Sequence, residues 1–357
     1  MYRWLRALLF RIPAETAHRL GMRVLRFLGA APRLSRWTRA RATRSSVDLS
    51  LQACGLEFPN PLGIAAGLDK NAEVVPGLFG LGFGSIEVGT VTPRPQPGNP
   101  EPRLFRIPEH QALINRMGFN NVGAGEVATR LRQLTWHPGP IGANLGKNLD
   151  TPIERAVEDY VYCAQILAPV CDYLVINASS PNTPGLRGLQ EPERLTALLA
   201  EVQSSLEKSG TAKPLLLKIA PDLSENALDA NVDIATANRI QGLIATNTTN
   251  QRPFHHRLSS QPGGLSGAPL RAMATEAIKR LYTRSAGRLT VVGVGGIFTG
   301  VDAYEKIRAG ASWVQIYTSF IYRGPGAAKA ILRELEGLLK RDGFGSVAEA
   351  IGASTRC

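Results

Sequence analysis

From residue 48 onward the chain repeats one pattern eight times: a short apolar run, a polar loop and, in most repeats, an amphipathic segment. Near-continuous apolar runs are typical of parallel strands that are buried on both faces. Eight such units in about 310 residues predict an α/β fold, the (β/α)8 or TIM barrel. The predicted strands span residues 62–66, 84–88, 141–144, 173–176, 215–219, 242–245, 290–294 and 313–317. The predicted helices span residues 152–167, 192–208, 226–238, 270–285, 301–309 and 327–342.

Functional side chains of such a barrel lie just after its strands, on the C-terminal face. The sequence has polar residues or glycines at all eight of these positions, which packing alone does not explain. They include Lys70, Thr90, Asn144, Asn177, Lys218, Thr246, Asn247, Thr248, Gly295, Gly296, Tyr317 and Thr318. Lys218 stands inside the apolar run LLLKIAP, and a buried lysine is costly unless an anion lies beside it.

The fourth predicted strand runs directly into the polar loop NASSPNTPGLRG. The loop carries Asn177, Ser180 and Asn182 together with the backbone-constraining residues Pro181 and Pro184. In α/β enzymes, catalytic and binding residues commonly lie in rigid polar loops at the ends of strands. An ordinary well-satisfied turn uses the same residue types, so this segment alone leaves both interpretations open.

Glycine-rich segments at the last two strands predict an anion site. VGVGGI precedes a predicted helix, and QIYTS precedes a Gly-rich turn. Backbone N–H groups at strands seven and eight form the usual phosphate site of these barrels. The segment GGLSG, residues 263–267, is predicted to add a flexible loop nearby.

Residues 1–46 contain eleven arginines and a single acid, Glu15, and they account for +10 of the formal net charge of +12. Apolar residues recur among the arginines at helical spacing. This spacing predicts two amphipathic helices, separated by Pro13 and ended by Pro32. The longest uncharged run before Pro13 is four residues, so no membrane-spanning helix is expected there.

The favoured interpretation of this segment is a helical pair on an anionic membrane surface, with arginines at the headgroups. Helices that pack on the barrel and expose a solvated charged face are the main alternative. A mitochondrial transit peptide or a nucleic-acid-binding segment would also be arginine-rich. We expect no nucleic-acid partner, because the rest of the chain is nearly neutral and carries no recognised nucleic-acid motif.

The four cysteines and five histidines form no CxxC pair and show no metal-ligand spacing. We therefore predict no metal site, no disulfide framework and a reducing compartment. The expected division of the chain is a basic helical segment at 1–46, a barrel at 47–342 and a weakly structured tail at 343–357.

The motifs AGLDKNAE, SIEVGTVTPRPQPGNPEPRLFR, LINRMGFNN, NASSPNTPGLR, GGLSG, VGVGGI and QIYTS together resemble class 2 dihydroorotate dehydrogenases. These are membrane-associated, quinone-reducing enzymes of pyrimidine (UMP) synthesis. The resemblance spans residues 48 to about 335. It implies oxidation of (S)-dihydroorotate to orotate with FMN and transfer of the electrons to a membrane quinone. We expect a peripheral position on the cytoplasmic side of a bacterial inner membrane rather than a mitochondrial location, because the sequence shows no long presequence with a spanning helix.

The resemblance implies one FMN per chain on the C-terminal face of the barrel. Its matching positions are Ala66, Gly67, Leu68, Asp69, Lys70, Thr90, Asn144, Asn177, Lys218, Thr246, Gly267, Gly296, Tyr317 and Thr318. Gly267, Gly296 and the amides of Tyr317 and Thr318 would hold the phosphate. Lys218 would stabilise the anionic reduced ring, since protein charges tune cofactors.

For dihydroorotate, the resemblance implies a second and overlapping set of positions. They are Lys70, Asn115, Arg116, Met117, Gly118, Phe119, Asn177, Asn182, Asn247 and Thr248. Asparagines suit a ring of alternating N–H and C=O groups because an amide both donates and accepts. Lys70 would offset the carboxylate.

Ser180 matches the family's base, which removes the C5 proton while the C6 hydride passes to the flavin. Class 1 relatives have cysteine at that position. A serine needs activation. The loop offers no His, Asp or Glu, which leaves a water chain or the hydroxyl of Thr183 as the activator.

His18 and Arg106 match positions near the quinone head, although His18 would also fit the polar face of its helix. Two other functions compete with this interpretation. An FMN barrel with a different electron acceptor, such as a class 1 enzyme, is disfavoured by Ser180 and by the N-terminal extension. A membrane- or RNA-binding protein on a degenerate barrel is disfavoured by the intact strand ends.

Overall fold

The computed structural model of the chain describes residues 2–183 and 185–355. Met1, Pro184, Arg356 and Cys357 lie outside it, as does the side chain of Arg3. In chain order its strands are β1 (Leu51–Ala53), β2 (Leu56–Phe58), β3 (Leu62–Ile64), β4 (Ser85–Val91), β5 (Leu104–Ile107), β6 (Ala112–Asn115), β7 (Ile141–Leu145), β8 (Tyr173–Ile176), β9 (Leu215–Ile219), β10 (Gly242–Ala245), β11 (Gly264–Gly267), β12 (Thr290–Val294) and β13 (Trp313–Ile316). Its α-helices are α1 (Tyr2–Leu9), α2 (Ala14–Gly29), α3 (Pro32–Ala42), α4 (Val75–Gly80), α5 (Ala124–Arg132), α6 (Ala156–Leu167), α7 (Pro192–Lys208), α8 (Glu225–Ala237), α9 (Arg271–Arg284), α10 (Gly300–Arg308), α11 (Thr318–Arg323), α12 (Ala327–Arg341) and α13 (Val347–Ala350).

Eight parallel strands close into a barrel in the order β3, β4, β7, β8, β9, β10, β12 and β13, and β13 pairs back with β3. Every residue of β4, β7, β8 and β9 is buried, because the barrel interior covers one face and the helices cover the other. The predicted (β/α)8 barrel is confirmed. All eight predicted strands are present, with ends that differ by at most a few residues.

A register shift in β4, between Gly89 and Val91, lies next to the barrel mouth. Such bulges redirect a side chain relative to the regular pleat. Gly89 takes φ 106°, which suits a residue without a Cβ. The shift brings the Thr90 side chain into the mouth beside Asn144, to which its hydroxyl donates at 2.5 Å.

A small antiparallel sheet of β5, β6 and β11 lies at the barrel mouth. Strands β5 and β6 come from the Pro- and Gly-rich stretch at 92–121, which the sequence predicts as an excursion over the mouth. The prediction of a flexible loop at 263–267 is wrong, because Gly264–Gly267 form β11 and pair with β6 residue for residue.

The N-terminal segment has three helices, where the sequence predicts two. Pro32 lies at the first turn of α3 rather than only ending α2, since proline fits the start of a helix. Arg39 of α3 is buried and donates to the carbonyls of Phe79 at 3.1 Å and Phe83 at 2.7 Å. Within residues 2–183 and 185–355, no helix is long and apolar enough to cross a membrane.

The prediction of a weakly structured tail is wrong. Val347 and Ala350 in α13 are fully buried. The Val347 amide donates to the Asp48 carbonyl at 2.9 Å, and the Gly352 amide donates to the Ile307 carbonyl at 3.0 Å. These contacts tie the tail to the barrel. The division of the chain at residues 46 and 342 stays a prediction.

Candidate active site

The polar strand ends surround one cavity at the C-terminal mouth of the barrel, with about 1020 Å³ of atom-free space including its open entrance. Most of the predicted cofactor and substrate residues line it. They are Ala66, Gly67, Lys70, Thr90, Asn115, Met117, Gly118, Phe119, Asn177, Ser180, Asn182, Lys218, Thr246, Asn247, Thr248, Gly267, Gly296, Tyr317 and Thr318. Residues that are up to about 250 positions apart in the sequence therefore meet in one space.

Four of the predicted cofactor and substrate residues do not line this cavity. Leu68 is buried in the core, and Asp69 accepts the amides of the following turn, among them Val74 at 2.8 Å. Asn144 lies beneath the cavity, hydrogen-bonded to residues that line it. Arg116 points outward, where its guanidinium donates to Gln261 at 3.0 Å. The predicted roles of Leu68 and Asp69 thus depend on their backbone.

A buried carboxylate that sequence reasoning missed lies beneath the cavity. Glu87 is 0% exposed and lies 3.9 Å from the Lys218 ammonium, which is 7% exposed. Asn144 and Gln315 each donate an amide N–H to Glu87 at 2.8 Å. A buried charge needs such partners. The sequence carried the signal, because Glu87 interrupts the apolar run SIEV as Lys218 interrupts LLLKI.

Next to Glu87 and Lys218, a group of asparagines fix one another's orientation. The Asn177 amide donates to Thr90 at 2.9 Å and to Asn144 at 3.0 Å. The Asn247 amide donates to Asn177 Oδ1 at 3.1 Å and to Ser179 Oγ at 3.0 Å. These shared contacts assign the amide N and O of each side chain and leave little rotational freedom.

Ser180 is buried, and its loop is held by hydrogen bonds of its own residues. The Asn182 backbone N–H donates to Ser180 Oγ at 3.2 Å, and the Asn182 side-chain amide donates to Asn115 at 3.2 Å. Asn182 Oδ1 is buried without a partner among the described residues, so it is available to a ligand donor. A donor on Ser180 Oγ favours its deprotonated form, since an alkoxide accepts hydrogen bonds strongly.

Lys70 is the cation that is predicted to pair with the substrate carboxylate. Its ammonium donates to the Gly67 carbonyl at 2.7 Å. Burial, together with the nearby Arg103 guanidinium, lowers the pKa of Lys70 to about 8. A cation held in this environment gains by binding a carboxylate, which supplies the missing counter-charge.

Glycines at the ends of β11 and β12 line the cavity. Gly267, Gly295 and Gly296 take φ values of 104°, 119° and 71°. A Cβ at Gly296 would collide with the backbone of Arg271. Ser319 Oγ nearby is buried without a partner among the described residues. Backbone N–H groups with an unused hydroxyl fit an anion.

The two predicted quinone residues lie where the N-terminal helices meet the small sheet, and neither lines the cavity. Burial, followed by the Lys70 charge, lowers the pKa of His18 to about 4. Arg106 on β5 donates to the carbonyls of Leu9 at 2.9 Å and of Ile12. Its guanidinium lies 4.7 Å from the ring centre of Phe10.

Comparison with known proteins gives the same family as the motifs. The family model described as dihydroorotate dehydrogenase matches residues 48–339. The dihydroorotate dehydrogenase (quinone) of Myxococcus xanthus is 58% identical over 357 residues, covering 100% of this chain and 98% of that protein. The chain belongs to the dihydroorotate dehydrogenase family.

Other relatives extend this match to the fold. The dihydroorotate dehydrogenase (quinone) of Acidithiobacillus ferrooxidans is 51% identical, covering 99% of each chain. The crystal structure of DHODH from Eimeria tenella in complex with ferulenol has a TM-score of 0.83, 39% identity, and coverage of 91% of this chain and 95% of that one. Because the dihydroorotate dehydrogenase (quinone) matches include α1–α3, the predicted resemblance to the quinone-reducing class is confirmed.

Proposed function

We propose that this dihydroorotate dehydrogenase oxidises (S)-dihydroorotate to orotate and passes the electrons to a quinone, as a step of pyrimidine synthesis. The observation that carries the proposal is that Ser180, Lys70 and four asparagines line one cavity. The asparagines are Asn115, Asn177, Asn182 and Asn247. Near-full-length relatives named dihydroorotate dehydrogenase (quinone) support the electron acceptor.

The residues present fit FMN as the cofactor. The glycine-lined backbone at Gly267 and Gly296, with the amides of Tyr317 and Thr318, would hold its phosphate. Lys218 would lie against the ring, with Glu87 behind it as a fixed counter-charge. When bound, FMN accepts the hydride of the substrate and later releases two electrons to the quinone.

Ser180 would remove the C5 proton of dihydroorotate. The Asn182 N–H, 3.2 Å from Ser180 Oγ, would stabilise the negative charge that develops on that oxygen. The proton would leave through a water chain or through the hydroxyl of Thr183. Lys70 would pair with the substrate carboxylate, while Asn115, whose Oδ1 accepts the Asn182 amide, would help to fix the ring.

We further propose that the N-terminal helices dock the enzyme on anionic lipid and give the quinone its access. Large apolar side chains are exposed on all three helices, including Trp4, Phe27 and Trp37. Arginines flank them, a pattern that suits a basic amphipathic surface. The proposed location is the cytoplasmic face of a bacterial inner membrane, with His18 and Arg106 near the quinone head.

Anaerobic mixing of the purified full-length protein with dihydroorotate tests this function. We expect the flavin absorbance to bleach and a quinone, but not NAD or fumarate, to restore it. Restoration by fumarate or NAD would instead favour a class 1 acceptor. A colourless protein, or a yellow one that does not bleach, would refute the proposed function.

A further inference from the structure

Glu15 is the single acid of the basic segment, and its carboxylate turns inward. It lies in the first turn of α2 and accepts from Arg103 Nε at 3.1 and 3.3 Å. The two side chains are 14% and 10% exposed, so the pair is largely shielded from water. Breaking such a pair from one side leaves an uncompensated buried charge.

Arg103 also fixes the turn that precedes β5. Its Nη1 donates to the carbonyls of Pro97 at 2.6 Å and Asn99 at 2.9 Å. Gly98, between them, takes φ 76°, and a Cβ there would come within 2.9 Å of Arg103 Nη1. The guanidinium therefore fits closely into the turn, and its position is set by Glu15 on the other side.

Asn99 in this turn bridges two segments that line the cavity. Its side-chain amide donates to the Arg116 carbonyl at 2.8 Å and to the Asn182 carbonyl at 3.3 Å. Its backbone N–H donates to the Met117 carbonyl at 3.0 Å. A shift of the turn would thus move both segments together.

Asn182 completes the path to the proposed base. Its backbone N–H donates to Ser180 Oγ, and its side chain donates to Asn115, both at 3.2 Å. Continuous contacts therefore run from Glu15 through Arg103, Asn99 and Asn182 to Ser180. The path starts on a helix that contributes no residue to the cavity lining among the described residues.

The Glu15 charge also reaches the cavity electrostatically. Burial and the Arg103 guanidinium lower the pKa of Lys70, Glu15 acts in the opposite direction, and the net value is about 8. Burial, together with Glu15, raises the pKa of Tyr317 to about 12. Without the Glu15 carboxylate, the repulsion between Lys70 and Arg103 would be offset by less negative charge.

We propose that Glu15 is a positioning residue for dihydroorotate oxidation, and that its pair with Arg103 couples the N-terminal helices to the Ser180 loop. This inference rests on the proposed function. The N-terminal segment then acts on the dihydroorotate half-reaction as well as on access of the quinone.

The test is anaerobic stopped-flow reduction of the full-length holoenzyme by dihydroorotate, comparing wild type with Glu15→Gln. We expect the limiting rate of flavin bleaching to fall by about tenfold or more, as when reacting groups are held less accurately. Orotate affinity, read from the flavin spectrum, should change by less than the rate. Glu15→Asp keeps the charge and should recover part of the rate.

Two further variants separate positioning from a general loss of structure. Glu101→Gln removes the exposed carboxylate 3.7 Å from the same arginine and should bleach at the wild-type rate. Asn99→Ala interrupts the path downstream, so its effect should not add to that of Glu15→Gln.

The outcomes distinguish the two proposals. A wild-type protein that does not bleach refutes the proposed function and this inference with it. A bleaching wild type with an equally fast Glu15→Gln overturns the inference alone. So does a Glu15→Gln variant that is slowed only in reoxidation by quinone, or one whose loss of rate adds fully to that of Asn99→Ala.

Discussion

Ser180 is buried beside Asn182, and its hydroxyl oxygen already accepts one backbone N–H. We expect Ser180→Ala to keep its yellow colour and to bind orotate, because the hydroxyl is small and the loop bonds of Asn182 to Asn115 remain. Flavin reduction by dihydroorotate should fall by at least about 100-fold, the usual contribution of a general base. Stopped-flow bleaching measures this, and Ser180→Cys serves as the variant that keeps an ionisable group. Near wild-type bleaching in Ser180→Ala would remove Ser180 from the mechanism.

Lys70 gives the site a pH dependence whose direction follows from its burial. Burial lowers the pKa of Lys70 to about 8, so the ammonium that would bind the carboxylate is lost as pH rises through that value. We expect the KM for dihydroorotate to stay level below pH 8 and to rise about tenfold per unit above it. Steady-state kinetics with a soluble quinone measures this rise. A KM that stays level up to about pH 10 would contradict the assignment.

The same group affects folding in the opposite sense. Because the pKa of Lys70 is lower in the folded chain, the unfolded chain binds more protons between about pH 8 and the ordinary lysine value of 10.5. Lys70 therefore destabilises the fold below pH 8, and this cost is relieved as pH rises through the interval. Binding and stability thus respond in opposite directions to one deprotonation.

Among the elements, α3 is tied to the end of α4 and the turn after it by a buried arginine. Arg39 supplies both hydrogen bonds to the carbonyls of Phe79 and Phe83 and lies 5.9 Å from the Phe79 ring centre. We expect Arg39→Ala to lower the free energy of unfolding by about 2 kcal/mol, because the Phe83 carbonyl loses its buried donor, while the Phe79 carbonyl loses Arg39 and keeps the Gly82 N–H. Chemical denaturation of the holoenzyme measures the change. Arg36→Ala on the exposed face of α3 is the control and should change stability little; an equal effect of both variants would contradict this account.

At the scale of the whole molecule, charge and exposed apolar area are concentrated in the same helices. Residues 1–46 carry +10 of the net charge, and Phe27 on α2 is 75% exposed. We expect the protein to sediment with anionic vesicles and to be released as salt rises from about 0.15 M to about 1 M, which shortens the screening length from about 8 to about 3 Å.

A matched pair of substitutions separates the helices from the barrel in the vesicle assay. Phe27→Glu should weaken binding, since it places a charge in the proposed lipid-facing surface. Val301→Glu, at a residue 52% exposed on the barrel, should leave binding unchanged. Equal binding of wild type and Phe27→Glu would exclude α2 from the lipid contact.

The barrel and most of the cavity lining follow from the amino-acid sequence. Strand positions such as Leu215–Ile219 and helix positions such as Pro192–Lys208 follow from local burial patterns, which each segment carries in its own residues. In a closed parallel barrel all strands end at one face, so polar residues after the strands had to meet. That argument placed Lys70, Asn177 and Lys218 in one site before any contact was known.

Contacts between segments that are distant in the sequence follow from the three-dimensional fold and not from local patterns. Strand β11 pairs with β6 across about 150 residues, and the buried tail packs where its own composition predicts little order. Glu87 became the partner of Lys218, and Glu15 the partner of Arg103, because the fold placed opposite charges together in places shielded from water. The sequence of a segment shows which of its residues are charged or apolar, but not which residues of other segments they contact. Which group satisfies a charged residue depends on three-dimensional proximity, and this is why the link from α2 to Ser180 emerged only from the structure.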